Sequence, residues 1–506
     1  MIANFAVVLF SAAVATTPCA NLKSTSLPNT TLTLAESLPA GTFTPPAAPA
    51  GGQRGGAAPA PAALNVPAFC RVAATLRPTS DSEIDMEVWM PETWNGKFQF
   101  VGGGGWAGVI SYSAMATALQ EGYATASTDT GHKGGNANFA IGHPEKVVDF
   151  AYRAVHESTV KAKAIMTTFY DRGPRISYWN GCSTGGRQGL MEAQRYPDDF
   201  DAIVAGAPAN YQTHLHAWDL SVAVPVLKDP ASVVSTAKLT ALNLAVIGTC
   251  DAKDGVKDGL LNDPRSCKFD PSTLLCKAGD SDTCLTAPQL EAVKRMYAPA
   301  KTKSGQYVFP GKEPGSETTW NAISGGQAPQ GVSLGSFQVA YDNIDWDWRT
   351  FDLDRDLKIV DEKVGSVINA VNPDLSAFKA RGGKLILYHG WNDTAISPGN
   401  TIDYYNSVIS KMGAKQDNWI RMFMIPGMGH CNGGPGPSQV NYMGALERWR
   451  ESGIAPDQML ANRVTNSRVD MSRPLCPYPQ VAQYKGVGST NDAANFVCKA
   501  PQSSAN

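Results

Sequence analysis

Apolar and polar positions change rhythm several times along the chain, and those changes divide it. Residues 69–72 open a β region, 84–89 alternate as a half-buried strand, and 97–101 continue as a buried one. A further strand is read at 122–129, a long helical period at 147–169, a short aromatic strand at 176–179, a helix at 187–195 and a strand at 202–206. Strand and helix alternating in this way predict an α/β fold with a doubly wound sheet.

The rhythm breaks at 209 and returns only at the strand 384–389, followed by a helix at 400–412 and a strand at 419–425. That interval is far longer than one strand–helix–strand unit. Residues 209–373 are therefore predicted to be an insertion that lies over the sheet as a lid, leaving 19–208 and 374–506 as the catalytic domain. The insertion is rich in aromatic residues, among them Trp320, Phe337, Tyr341, Trp346, Trp348 and Phe351. Their expected place is the lid's own core, with the wall of a pocket for a flat ligand as the alternative. Residues 39–67, rich in Pro, Ala and Gly, read as a surface loop or linker.

Composition narrows the class. A chain of 506 residues with 43% apolar residues buries a large core, and a net charge of -2 gives no basic footprint for nucleic acid and no polybasic face for a membrane. After the N-terminus no apolar run is long enough to span a bilayer. An apolar stretch at 5–10, lacking the usual basic residues before it, leads into Ala13-Val14-Ala15; this predicts a signal peptide over 1–18 and a secreted or periplasmic protein. Ten cysteines, an even number, agree with an oxidising compartment.

Candidate chemistry centres on Gly181-Cys182-Ser183-Thr184-Gly185, a G-x-S-x-G turn between the strand at 176–179 and the helix at 187–195. A serine on so sharp a turn needs glycine two residues to either side, and its hydroxyl is lifted clear of the sheet as a nucleophile. A second match, Gly331-Val332-Ser333-Leu334-Gly335, follows a loop and precedes no helical pattern, so Ser333 is set aside. Asp393 ends the strand-like run 384–389 and its loop, and His430 follows the strand 419–425. The chain order Ser183, Asp393, His430 is that of an α/β-hydrolase triad: nucleophile, orienting acid and general base. His389, His214 and His216 compete weakly as base, and His132 is expected to be structural. The Gly-rich run 102–108 follows a strand and supplies an oxyanion donor at Gly105 or its neighbour Gly104; the N–H of Thr184 supplies the other. A dinucleotide reading of that run fails for want of a ribose-binding acid.

Cys182 precedes the nucleophile and Cys431 follows the base, so bringing Ser183 to His430 forces these cysteines together as a disulfide. Within the insertion, Asp251, Asp254 and Asp258 lie on a glycine-punctuated loop, where the carbonyls of Val256 and Leu260 complete an oxygen set for a structural calcium ion. A solvated acidic turn closed by a Cys250–Cys267 bridge is the metal-free alternative. Zinc is disfavoured because no histidine lies near.

These residues resemble the tannase and feruloyl esterase family, which includes the hydrolase of the terephthalate–glycol monoester. The likeness is carried by Phe69-Cys70-Arg71-Val72, Trp94-Asn95-Gly96-Lys97-Phe98, the glycine run, 181–189, 251–260, 346–356, 389–393 and 427–431. It implies an α/β-hydrolase fold with a lid, a serine esterase acting on aromatic (hydroxycinnamate or gallate) esters, one structural calcium, and a Cys182–Cys431 link. It further implies the pairs Cys19–Cys70, Cys250–Cys267, Cys276–Cys284 and Cys476–Cys498. Substrates would be small aromatic esters, free or attached to plant polysaccharide or polyphenol. A terephthalate monoester and a non-catalytic aromatic-ligand binder are the alternatives. The first is weakened by the absence of arginine between Arg295 and Arg349.

Overall fold

Nine strands build the central sheet: β1 (Thr30–Leu38), β2 (Phe69–Leu76), β3 (Ile84–Pro91), β4 (Lys97–Val101), β5 (Ala124–Thr128), β6 (Ile176–Cys182), β7 (Ala202–Gly206), β8 (Lys384–Gly390) and β9 (Ile420–Ile425). The structure, a computed structural model, describes residues 17–47, 61–329 and 331–501. The spatial order is β1-β2-β3-β5-β4-β6-β7-β8-β9. β1, β2 and β3 run antiparallel to their neighbours, whereas β5, β4, β6, β7, β8 and β9 are parallel. The parallel strands are covered on both faces, which is why they read as nearly continuous apolar runs.

Pairing of β4 with β6 is what positions the site, because Val101 lies opposite Asn180 and the Gly102 N–H donates to the Asn180 carbonyl at 3.0 Å. The glycine run and the serine turn therefore leave the sheet side by side. Flanking helices include α1 (Ala154–Tyr170), α2 (Thr184–Arg195), α3 (Gln212–Lys228), α4 (Gly331–Tyr341) and α5 (Gly399–Met412). The long helical period before the serine turn is realised as α1 joined to an α-helical turn, Pro144–Val148, through a π-helical turn, Asp149–Arg153.

The segment between β7 and β8 has a core of its own. Trp218, Leu242, Trp320, Phe337 and Trp346 are buried there, together with Trp106 and Phe150 from the sheet side. The aromatic cluster packs on itself: Phe337 stacks on Trp346 at 5.2 Å, Tyr341 stacks on Trp346 at 5.6 Å, and Phe351 meets Phe337 edge-on. The expected core role is the one observed.

Two sequence readings need correction. The helix α4 begins at Gly331, where no helical pattern was expected, because Phe337 and its neighbours are buried on most sides and leave no amphipathic stripe to read. The linker 39–67 contains a small antiparallel pair, Gly41–Phe43 with Leu64–Val66. The proposed leader falls almost wholly outside the described residues. All five disulfides are formed as expected: Cys19–Cys70, Cys182–Cys431, Cys250–Cys267, Cys276–Cys284 and Cys476–Cys498. Among the described residues no helix is long and apolar enough to cross a membrane.

Candidate active site

Ser183 joins β6 to α2 with φ 64° and ψ -123°. A non-glycine residue in the left-handed region is strained, and such strain persists only where the surroundings impose it. Here they do. A Cβ on Gly181 would come within 2.6 Å of the Gly185 backbone, and one on Gly185 would press on Gly103 and Gly102. The turn is held by the Ser183 N–H on the Gly206 carbonyl at 2.9 Å and the Gly185 N–H on the Gly103 carbonyl at 2.9 Å.

Asp393 and His430 arrive from the ends of β8 and β9. The Asp393 carboxylate is fully buried and saturated: Oδ2 accepts from His430 Nδ1 at 2.7 Å and from His389 Nε2 at 2.9 Å, and Oδ1 accepts the N–H groups of Ala395 and Ile396. Burial pushes Asp393 upward, but His430 and His389 outweigh it and hold the carboxyl well below the usual carboxylate range. Burial disfavours the charged form of His430, yet the Asp393 charge and hydrogen bond prevail and leave its pKa above the ordinary value. His389 lies beneath the pair rather than facing the cavity; its Nδ1 meets Thr401 Oγ1 at 2.7 Å. This second imidazole on Asp393 was read from the sequence only as a weak rival base.

Ser183 and His430 line one cavity of about 550 Å³, together with Gly105, Thr184, Leu215, His216, Asp219 and Ile396. The Cys182–Cys431 disulfide, with its Cα atoms 6.0 Å apart, fastens the residues next to each. The Ser183 hydroxyl makes no hydrogen bond to the imidazole in this geometry; such contacts commonly close when substrate fills the site. Thr184 Oγ1 donates to the Gly105 carbonyl at 2.9 Å, which ties the glycine run to the turn. Neither the Gly105 nor the Thr184 N–H has a backbone partner, so both remain free as donors.

A family model described as tannase and feruloyl esterase matches residues 70–499. The chain belongs to that family. It is a carboxylic ester hydrolase. An uncharacterized esterase of Xanthomonas campestris is 39% identical, over 97% of this chain and 92% of its own length. The probable feruloyl esterase B-1 of Aspergillus oryzae is 35% identical over 85% of this chain and 84% of its own. Among solved structures, feruloyl esterase B from Aspergillus oryzae superposes with a TM-score of 0.88 at 32% identity, covering 95% of this chain and 100% of that one. Tannin acyl hydrolase from Aspergillus niger shares the fold, with a TM-score of 0.75 at 22% identity over 95% of this chain and 93% of its own.

The other sequence candidates of this esterase fall away from the reacting centre. Ser333 sits within α4 and donates to Asp219 Oδ2 at 2.8 Å. His214 is held between the Val308 carbonyl and Asp361. His216 reaches the cavity wall, but its Nδ1 is engaged by Ser336 Oγ and burial lowers its pKa to about 3. His132 Nε2 donates to the Trp106 carbonyl at 2.7 Å, its ring stacks on Phe139, and burial lowers its pKa to about 4. Two residues went unread in the sequence. The Trp106 indole N–H donates to the Val332 carbonyl, tying the glycine run to α4. Arg187, buried in the first turn of α2, donates to the carbonyls of Ala151, Ile368 and Phe150.

In the acidic loop each carboxylate oxygen is already engaged. Asp251 accepts the N–H groups of Asp258 and Gly259, Asp254 those of Val256 and Asn262, and Asp258 that of Leu260 as well as the Arg473 guanidinium. The Val256 and Leu260 carbonyls accept no backbone hydrogen bond. Burial pushes Asp254 up to about 6, with the charges of Asp258 and Asp251 adding to it against two backbone N–H bonds. Crowded carboxylates beside free carbonyls suit a hard cation in kind. The three side chains are nevertheless not among the groups whose ligand atoms lie within 4.8 Å of one another, and Arg473 already supplies one positive charge.

Proposed function

We propose that this esterase is a serine hydrolase cleaving aromatic esters of hydroxycinnamic or gallic acid through an acyl-enzyme. The observation that carries the reading is the convergence of Ser183, and of His430 on its buried Asp393, on one cavity. In this mechanism Ser183 attacks the ester carbonyl while His430 takes its proton. The Thr184 and Gly105 N–H groups receive the developing oxyanion, and His430 returns the proton to the departing alcohol. Water then attacks the acyl-enzyme by the same route. Asp393 fixes the imidazole tautomer and stabilises the imidazolium.

The cavity wall favours a hydroxylated aromatic acyl group over a terephthalate. Among the described residues no lysine or arginine lines it, while Asp219 places a carboxyl group there, an acceptor for a phenolic hydroxyl. Relatives named as feruloyl esterases point the same way. The alcohol side would be carbohydrate or polyphenol of plant material. Five disulfides with no free cysteine among the described residues support secretion or a periplasmic location. A calcium ion on Asp251, Asp254 and Asp258 with the Val256 and Leu260 carbonyls would require the three side chains to draw together and Arg473 to release Asp258, and it would take no part in the reaction.

The test is hydrolysis of methyl ferulate, methyl gallate and the terephthalate–glycol monoester by wild type and Ser183→Ala. Activity on the first or second that Ser183→Ala abolishes supports the reading. Unchanged turnover by Ser183→Ala, or a preference for the monoester, overturns it.

A further inference from the structure

Behind the serine turn, α1 and α2 enclose a group of side chains that ester hydrolysis does not use. Glu192 lies on α2, nine residues beyond Ser183, which at the helical rise is ~13 Å from it. It is 1% exposed, and neither carboxylate oxygen has a hydrogen-bond donor. Facing it are Asp199, also buried, and His156 of α1, whose Nδ1 lies 2.6 Å from Asp199 Oδ2. One ligand atom from each of the three lies within 4.8 Å of the others. The charge of Lys163 acts on the pair, but its Nζ donates to the Asp199 backbone carbonyl and not to a carboxylate. A buried acid pair with one donor between them needs either a retained proton or a cation.

We propose that His156, Glu192 and Asp199 form a binding site for one divalent transition-metal ion of the zinc class. One imidazole nitrogen with two carboxylates is a borderline donor set, suited to zinc rather than calcium. Tetrahedral ligands at ~2.1 Å from an ion lie ~3.4 Å apart, so the His156–Asp199 contact must open by under ~1 Å. The side chain of His156 is 28% exposed, which gives the ion a path in and leaves the fourth position to water. In the bound state His156 presents the Nδ1 lone pair with its proton on Nε2, and both carboxylates are ionised. The ion would fasten α1 to α2 without touching substrate. Of the other such group, Cys276, Asp280 and Cys284, the sulfurs are joined in a disulfide and offer no thiolate.

The experiment uses the full disulfide-bonded protein, stripped with EDTA, dialysed and held in excess calcium, titrated with zinc chloride in the calorimeter. Wild type should take up one zinc per chain at micromolar Kd or tighter, releasing protons and raising Tm. Glu192→Gln, which mimics the protonated acid, should bind at least tenfold more weakly while hydrolysing esters normally. His156→Asn, altering the more exposed ligand, should lose zinc in the same way and replaces Glu192→Gln if that variant does not fold. Active wild type that takes up no zinc, a Glu192→Gln or His156→Asn variant that binds as tightly as wild type, or binding lost instead in Asp254→Asn would each overturn the proposal.

Discussion

His389 donates to the same oxygen of Asp393 that receives His430, so one carboxylate oxygen serves two imidazoles. Because His389 is wholly buried and anchored by Thr401, it aims the carboxylate rather than meeting substrate. A hydrogen bond to a charged group contributes about 1.5–3 kcal/mol, or roughly ten- to a hundredfold in rate. His389→Phe should therefore lower kcat by that order and leave KM nearly unchanged, as read in steady-state kinetics on methyl ferulate.

Asp393 raises the pKa of His430, and a general base works only when neutral. The acidic limb of kcat/KM should thus lie above pH 6.5, the ordinary imidazole value. Asp393→Asn removes the charge that favours the imidazolium, so the limb should move to lower pH while kcat falls about 10⁴-fold. A pH–rate profile of both proteins checks the two effects together.

The Cys182–Cys431 link fastens the neighbours of Ser183 and His430, the proposed nucleophile and base, across a sequence separation of 249 residues. Replacing both cysteines with serine should preserve the fold, since four other disulfides remain, but cost roughly a hundredfold in kcat, the usual consequence of ~1 Å of misplacement. Circular dichroism alongside labelling by a serine-reactive phosphonate separates loss of structure from loss of geometry. His430→Ala should abolish the labelling altogether.

Asp219 should matter only to substrates that carry a ring hydroxyl. Asp219→Ala is expected to reduce kcat/KM for methyl ferulate about tenfold and to leave methyl cinnamate, which lacks that hydroxyl, unaffected, in line with one hydrogen bond to a charged acceptor.

His132 is buried in its neutral form, with its pKa lowered to about 4. The unfolded chain takes up this proton near pH 6.5 and the folded chain only near 4, so folding stability falls as pH drops through that window. His132→Gln, which keeps a donor toward the Trp106 carbonyl, should flatten the decline in Tm between pH 6.5 and 4 relative to wild type.

What the sequence disclosed and what it hid follow from range. Ser183, Asp393 and His430 were legible because each ends a strand with a strong local signature, and the Cys182–Cys431 pair followed from them. His389 on Asp393, Trp106 on Val332 and Arg187 on three carbonyls depend on contacts across the fold that no local pattern encodes. The helix at Gly331–Tyr341 was hidden for a different reason, since burial on most sides erases the period that marks a surface helix.

Arg187 sits in the first turn of the serine's own helix and grips Ile368, near the point where the insertion returns to the sheet. That bond couples the returning end of the covering segment to the turn it covers, so a displacement of one is transmitted to the helix that carries the other.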